Sequence, residues 1–391
     1  MKKIFLFLMI APFVGMAQNN PDKTYIEEIK VLHSNILNED RTLVIYKPAG
    51  NTIYTLPPRF PVLYLLDAEW QAPMIEGQIH YLSGINYAIP KMLVVAIKNT
   101  DRTRDLTPTH SVTGYDGKTD TTSLKTSGDA EKFLQFMQNE LIPYIEKNYN
   151  TEPYRILSGH SFGGLFALYS LLYNPDLFNG YLSISPSLWW DKKWILNKAD
   201  KILTAETPLN KILFYSDGAE GGQFHKNVRS FDSLLQSKTI RELSFKYIYY
   251  PDETHNIEPV KAFYDGIRFI YHDWVPDEFY DDVRPINAET FTLHYQKLSR
   301  RYGYTILPPE EIINEYGYNL MNHFEKLEDA VDVFALNVKN YPNSYNAFDS
   351  YAESLMKTGN KLKAIENYEK SLQLNPGNEN AKQMLAKLKG K

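Results

Sequence analysis

The chain has 391 residues, 43% of them hydrophobic, which is ample for a large core and for more than one domain. A formal net charge of −5 points away from nucleic acid and anionic membrane surfaces, which select for concentrated basic faces. With no cysteine, disulfides, thiolate metal sites and cysteine nucleophiles are excluded.

Residues 1–17 read as a secretory signal: Met-Lys-Lys, an apolar run from Ile4 to Val14, then Gly15-Met16-Ala17 as a small-residue cleavage site. The apolar run is too short to span a bilayer, so cleavage predicts an exported protein, periplasmic or extracellular, with no membrane span. A first domain is placed at 18–275, and from about residue 24 to about 275 strand-like and helix-like segments alternate. Strands are expected at Tyr25–Leu32, Arg41–Tyr46, Val62–Leu66, Met92–Ile97, Arg155–Ser158, Gly180–Ile184, Lys211–Tyr215 and Leu243–Tyr249. Helices are expected at Asp129–Asn148, Ser161–Tyr173, Phe224–Gln236 and Val260–Asp273. Runs such as Val62-Leu63-Tyr64-Leu65-Leu66 lack polar alternation, so both faces must be covered. That is the habit of a mostly parallel sheet with helices on each side, an α/β fold. The polar stretch from Thr100 to Gly128 follows a strand and is read as a binding rim.

Residues 276–310 form a proline-bearing connector with a helix over Asn287–Arg301. Beyond it lies a repeat of period 34: Ala330 recurs as Ala364, Phe334 as Tyr368, Val338 as Leu372 and Pro342 as Pro376. Spacing and residue types resemble tetratricopeptide repeats, placed at 311–344 and 345–378, with a closing helix from Ala381 to Leu388. Two such units are marginal alone. Residues 311–391 are therefore expected to pack on the first domain, meet a protein partner or self-associate.

The chemistry centres on Gly159-His160-Ser161-Phe162-Gly163, a G-x-S-x-G pattern. Apolar Ile156-Leu157 precedes it and the apolar helix Leu165–Tyr173 follows, as a strand–turn–helix nucleophile elbow requires. Ser161 needs a base and an acid to hold that base, and hydrolases built on this elbow place them later, acid before histidine. Of the five later histidines, His255 sits in a loop after the last strand, on the elbow's edge of the sheet. The acid falls in the loop after Lys211–Tyr215, where Glu220 and Asp217 both qualify. Glu220 is preferred because it lies farther into the loop, while Asp217-Gly218 also suits a turn. Oxyanion donors are expected from the N–H of Phe162 and from the loop after Val62–Leu66, at Glu69 or Ala68. Arg104, Trp189 and Trp190 are candidate substrate contacts: a cation for an acidic or catechol group, and two rings that stack.

Leu65-Leu66-Asp67, the elbow itself and Ser185-Pro186-Ser187-Leu188-Trp189-Trp190 together resemble the esterase family of α/β hydrolases. The elbow followed by Ser-Pro-Ser-Leu is most similar to the ferric-enterobactin esterase-like branch, and the likeness covers about residues 24–275. The resemblance implies an α/β-hydrolase fold and maps an oxyanion N–H onto Glu69 and the acid onto Glu220. It also implies a serine ester hydrolase with an acyl-enzyme intermediate and no metal or cofactor. Siderophore esters, acylated carbohydrates and small acyl esters are the open substrate classes. Acyl transfer on the same fold and a repeat-mediated binding role remain alternatives.

Overall fold

The computed structural model describes residues 25–49, 58–85, 87–204, 208–276 and 285–390. The expected export signal and part of the connector lie outside these residues. Eight strands form one sheet: β1 (Tyr25–Ser34), β2 (Glu39–Pro48), β3 (Phe60–Leu65), β4 (Leu93–Ile97), β5 (Thr151–His160), β6 (Gly180–Ile184), β7 (Lys211–Gly218) and β8 (Leu243–Tyr250). Their spatial order is β1-β2-β4-β3-β5-β6-β7-β8. β1 and β2 enter antiparallel, and every pairing from β4 through β8 is parallel. This is an α/β-hydrolase-like sheet, as expected. The C-terminal ends of the parallel strands gather on one edge, where such sheets bind ligands.

Burial explains the unbroken apolar runs. Along β4, Val94 and Ala96 face one core, while Leu93, Val95 and Ile97 face the other. One face is covered by α1 (Ala68–His80) and, later in the chain, α8 (Glu258–Ile270). The opposite core takes α2 (Arg102–Leu106), α3 (Ala130–Phe136), α4 (Ile142–Asn148), α5 (Phe162–Tyr173), α6 (Trp190–Ile202) and α7 (Gly222–Ser237). The helix expected over Asp129–Asn148 is α3 and α4 joined by a π turn at Met137–Leu141. α1 was not among the expected helices, and Pro73 lies inside it.

The chain ends in helices: α9 (Ala288–Tyr302), α10 (Glu310–Asn322), α11 (Leu327–Asn340), α12 (Tyr345–Lys357), α13 (Lys361–Leu374) and α14 (Glu379–Lys389). Their first members are not a detached appendage. Phe291, Tyr295, Tyr316 and Phe334 belong to the same apolar core as α1 and α8. Tyr302 packs edge-on against Tyr154 of β5, centroids 5.1 Å apart, and its hydroxyl donates to the carbonyl of Ile270 at 2.8 Å. Gly317 lets α10 and α11 approach, because a Cβ there would stand 2.6 Å from the Phe334 ring. Ala330, Phe334, Ala364 and Tyr368, equivalent by the 34-residue period, are all fully buried.

Candidate active site

β5 carries the chain to the sheet edge, and α5 leaves it one residue later. Ser161 between them adopts φ 61°, ψ −113°, a left-side conformation that a serine holds only when its surroundings impose it. Glycines supply the room. A Cβ on Gly159 would lie 2.3 Å from the Gly163 backbone, and one on Gly164 would lie 2.8 Å from the Ile184 carbonyl. The turn is pinned by its own backbone: Ser161 N donates to Ile184 O at 2.9 Å, and Ser187 N donates to Ser161 O at 3.1 Å. The hydroxyl of Ser161 pairs with that of Ser187 at 3.3 Å.

The neighbouring strand ends bring the titratable groups. Nδ1 of His255 lies 2.7 Å from Oε2 of Glu220. A carboxylate oxygen only accepts, so Nδ1 carries the proton and Nε2 keeps a lone pair. Glu220 is shielded, with 4% side-chain exposure, while His255 stays open at 31%. The two loops are laced together: Ala219 N donates to Glu253 O at 2.7 Å, and a Cβ on Gly218 would fall 2.4 Å from that oxygen. The His255 ring rests on the ring of His160, centroids 4.4 Å apart. Burial and the neighbouring His255 push His160 down to about 3, so it is neutral at physiological pH. Among the described residues no hydrogen bond closes between Ser161 and His255.

Asp217 stands elsewhere. Its Oδ2 meets Nδ1 of His225 at 2.7 Å, and its Oδ1 accepts from the Tyr247 hydroxyl at 2.5 Å. It is fully buried, which pushes its carboxyl up, while Tyr247 and His225 pull it down. The carboxylate facing His255 is thus Glu220.

The oxyanion candidates lie at two helix starts. Phe162 opens α5, and its N–H precedes the first intrahelical bond, which Leu165 N donates to Ser161 O. Ala68 and Glu69 open α1 after Asp67, which is left-handed at φ 57°. The first helical donors there are Trp70 and Gln71, so the Ala68 and Glu69 N–H groups are not used by the helix. The Glu69 carboxylate turns away to accept from Asn99 N at 2.8 Å.

Arg104, expected to meet substrate, is held in an ion network instead. Its guanidinium bonds Glu39 at 2.7 and 3.0 Å and the buried Asp105 at 2.8 Å. The cation at the site is Arg102. It grips Asp67 with two bonds, 2.7 and 2.8 Å, and donates to the His160 carbonyl at 3.1 Å. That clamp ties the loop before α1 to the elbow, since Asp67 Oδ2 is what a Cβ on Gly163 would meet. Arg102 also lies over the rings of Trp70 (5.6 Å) and Phe162 (5.4 Å). It sits two residues from Arg104 in the short helix α2. Nothing in residue type separated the two, because only the helix geometry turns one to the elbow and the other to Glu39.

The two tryptophans also part ways. Trp190 is buried, with its indole N–H donating to Thr109 O at 3.2 Å. Trp189 is half-exposed between Phe162 and Tyr115, at 5.9 Å from each. Tyr115 comes from the polar 100–128 stretch and is 52% exposed, so that stretch does reach the rim of this surface. Among the described residues no group of three or more His, Asp and Glu is arranged to hold a metal ion. No helix there is long and apolar enough to cross a membrane.

This arrangement has relatives. The family described as "Putative esterase" matches residues 34–258. The ferri-bacillibactin esterase BesA of Bacillus subtilis is 33% identical over 221 residues, covering 51% of this chain and 72% of that protein. The crystal structure of an IroE-like serine hydrolase from Shewanella oneidensis superposes with TM-score 0.70 at 29% identity, covering 80% of this chain and 99% of that one. An uncharacterised protein from Capnocytophaga ochracea shares the fold over 94% of this chain and 100% of its own, with TM-score 0.62 at 17% identity. With the family match spanning the elbow and every strand end that forms this edge, the chain belongs to the putative esterase family and is a carboxylic ester hydrolase.

Proposed function

We propose that Ser161, His255 and Glu220 act as a catalytic triad on polyester siderophores of the catecholate type. Ser161 Oγ attacks an ester carbonyl, and His255 Nε2 takes its proton and returns it to the leaving alcohol. Glu220 holds Nδ1–H and balances the imidazolium that forms. The N–H groups of Phe162 and Glu69 donate to the developing oxyanion, and water then releases the acyl-enzyme. One observation carries this reading: a strained serine beside a shielded carboxylate–histidine pair at 2.7 Å.

The substrate class is supported by BesA, whose name gives it a ferri-siderophore ester, and by the site's walls. Trp189, Tyr115 and Phe162 offer ring faces. Arg102 places a cation over Trp70, which is 66% exposed. A catechol ring offers a π face and an acidic hydroxyl to such a surface. We further propose export through residues 1–17 and tetratricopeptide-like packing of 311–378 as a brace for the hydrolase region. The test is hydrolysis of a catecholate trilactone by the full chain and by Ser161→Ala, with fluorophosphonate labelling of both. The proposal requires turnover and labelling in the parent and neither in the variant. A labelled parent that spares the trilactone but cleaves simple acyl esters would move the substrate class.

A further inference from the structure

Behind the Glu220–His255 pair lies a carboxyl group the reaction does not use. Glu258 opens α8 three residues after His255 and is fully buried. Ser185, at the end of β6 with φ 41°, places its single hydroxyl between two carboxyl groups, Oε1 of Glu220 and Oε2 of Glu258. The groups facing Glu258 from the packed elements are Ser185, Ser216, Asp217, Glu220 and Tyr250.

Counting protons decides their states. A serine hydroxyl has one hydrogen and cannot donate to two ionised carboxylates. One of the two carboxyls must therefore donate to Ser185. Glu220 has an imidazole N–H at 2.7 Å on one oxygen and the Gly218 N–H at 3.3 Å on the other, both donors. Glu258 has no cationic neighbour: Asp217 faces His225, Glu220 faces His255, and no lysine or arginine bonds any of the three among the described residues. An unpaired buried carboxylate is among the most unfavourable groups a fold can hold.

We propose that Glu258 is a neutral positioning acid that donates to Ser185 Oγ, so that the Ser185 proton is committed to Glu220 and Glu220 is held facing His255. No bond is made or broken along this chain. Its effect is to orient one carboxylate and to keep a second negative charge away from it. Burial together with Glu220 and Asp217 pushes Glu258 up to about 9, with the Ser216 hydroxyl opposing, so it is protonated at neutral pH. Ionisation above that range removes the donor and adds repulsion beside Glu220, so turnover should fall as pH rises through about 9.

The inference rests on the triad reading, and the test separates the two. kcat and KM for p-nitrophenyl acetate are measured across pH on the full chain, Glu258→Gln, Glu258→Leu, Ser185→Ala and Ser161→Ala, with thermal melts checking folding. Glutamine can still donate to Ser185, so E258Q should stay within about threefold of the parent and lose the alkaline fall. E258L and S185A should each lose about tenfold in kcat with KM little changed, and their combination should be no worse than either alone. Should E258L not fold, E258Q and S185A carry the test. E258Q as impaired as E258L, or an alkaline fall that persists in E258Q, overturns the proposal while leaving the triad standing. A Ser161→Ala variant that still turns over overturns the triad reading and this inference together.

Discussion

Two histidines face carboxylates along one edge of this sheet, and by distance alone they are twins. His255 meets Glu220 and His225 meets Asp217, each at 2.7 Å, each with a half-buried imidazole over a shielded carboxylate. The difference is in what stands beside them. His255 leans on His160, whose chain neighbour is Ser161. His225 leans on Tyr249 of β8, centroids 4.3 Å apart, and its acid is shared with Tyr247. A histidine–carboxylate pair makes a good proton acceptor anywhere. It becomes useful only where a strained backbone presents a nucleophile. The pair at Asp217 is better read as a brace between β7, β8 and the start of α7.

The largest expected effect tests that asymmetry at its root. Ser161→Ala should lower ester turnover by about 10³-fold or more without moving the melting transition, because the elbow backbone remains. Next come the acids. Glu220→Ala should cost about 10²-fold or more in kcat, whereas Asp217→Ala should leave kcat within about threefold and destabilise the fold by about 1–3 kcal/mol by stranding the half-buried Tyr247 hydroxyl and His225 imidazole. The reverse outcome in paired kinetics and denaturation curves would exchange the roles of the two pairs.

A smaller contrast separates the arginines. Arg102→Ala leaves the Asp67 carboxylate to the Asn99 amide and removes the cation over Trp70 and Phe162, so KM for an acidic aromatic ester should rise about tenfold. Arg104→Ala should leave ester kinetics alone and lose about 1–3 kcal/mol of stability, as Asp105 keeps only Arg41. The smallest effect is on pH. His160 is held near 3 when folded, against an ordinary value near 6.5. Between those values the unfolded chain binds a proton that the folded one refuses, so stability falls as pH falls from about 6.5 toward about 3. Melting temperatures from neutral pH to pH of about 4 should drop in the parent and drop less in His160→Asn.

Much of this was legible beforehand because local patterns carried it. Strands buried on both faces write themselves as unbroken apolar runs, and Gly159 is required by the close approach of Gly163 four residues on. Other features left no such mark. α1 contains Pro73, a poor helix former that burial of Ala72 and Ile75 overrides. Asp217 and Glu220 are three residues apart, and by spacing either could have faced His255; folding keeps Asp217 on β7 and puts Glu220 beyond its end.

The sequence by itself therefore determined the layered α/β architecture, the strained serine and the small set of loops from which its partners must come. All of these follow from periodicity, chain order and the steric needs of a turn. The tertiary structure alone decided which carboxylate faces His255, which arginine guards the elbow, and that Ser185 and Glu258 stand behind Glu220. Those assignments depend on α2, α8 and the segments leaving β6, β7 and β8 converging at one sheet edge. No spacing along the chain encodes distances between strands that meet only after folding.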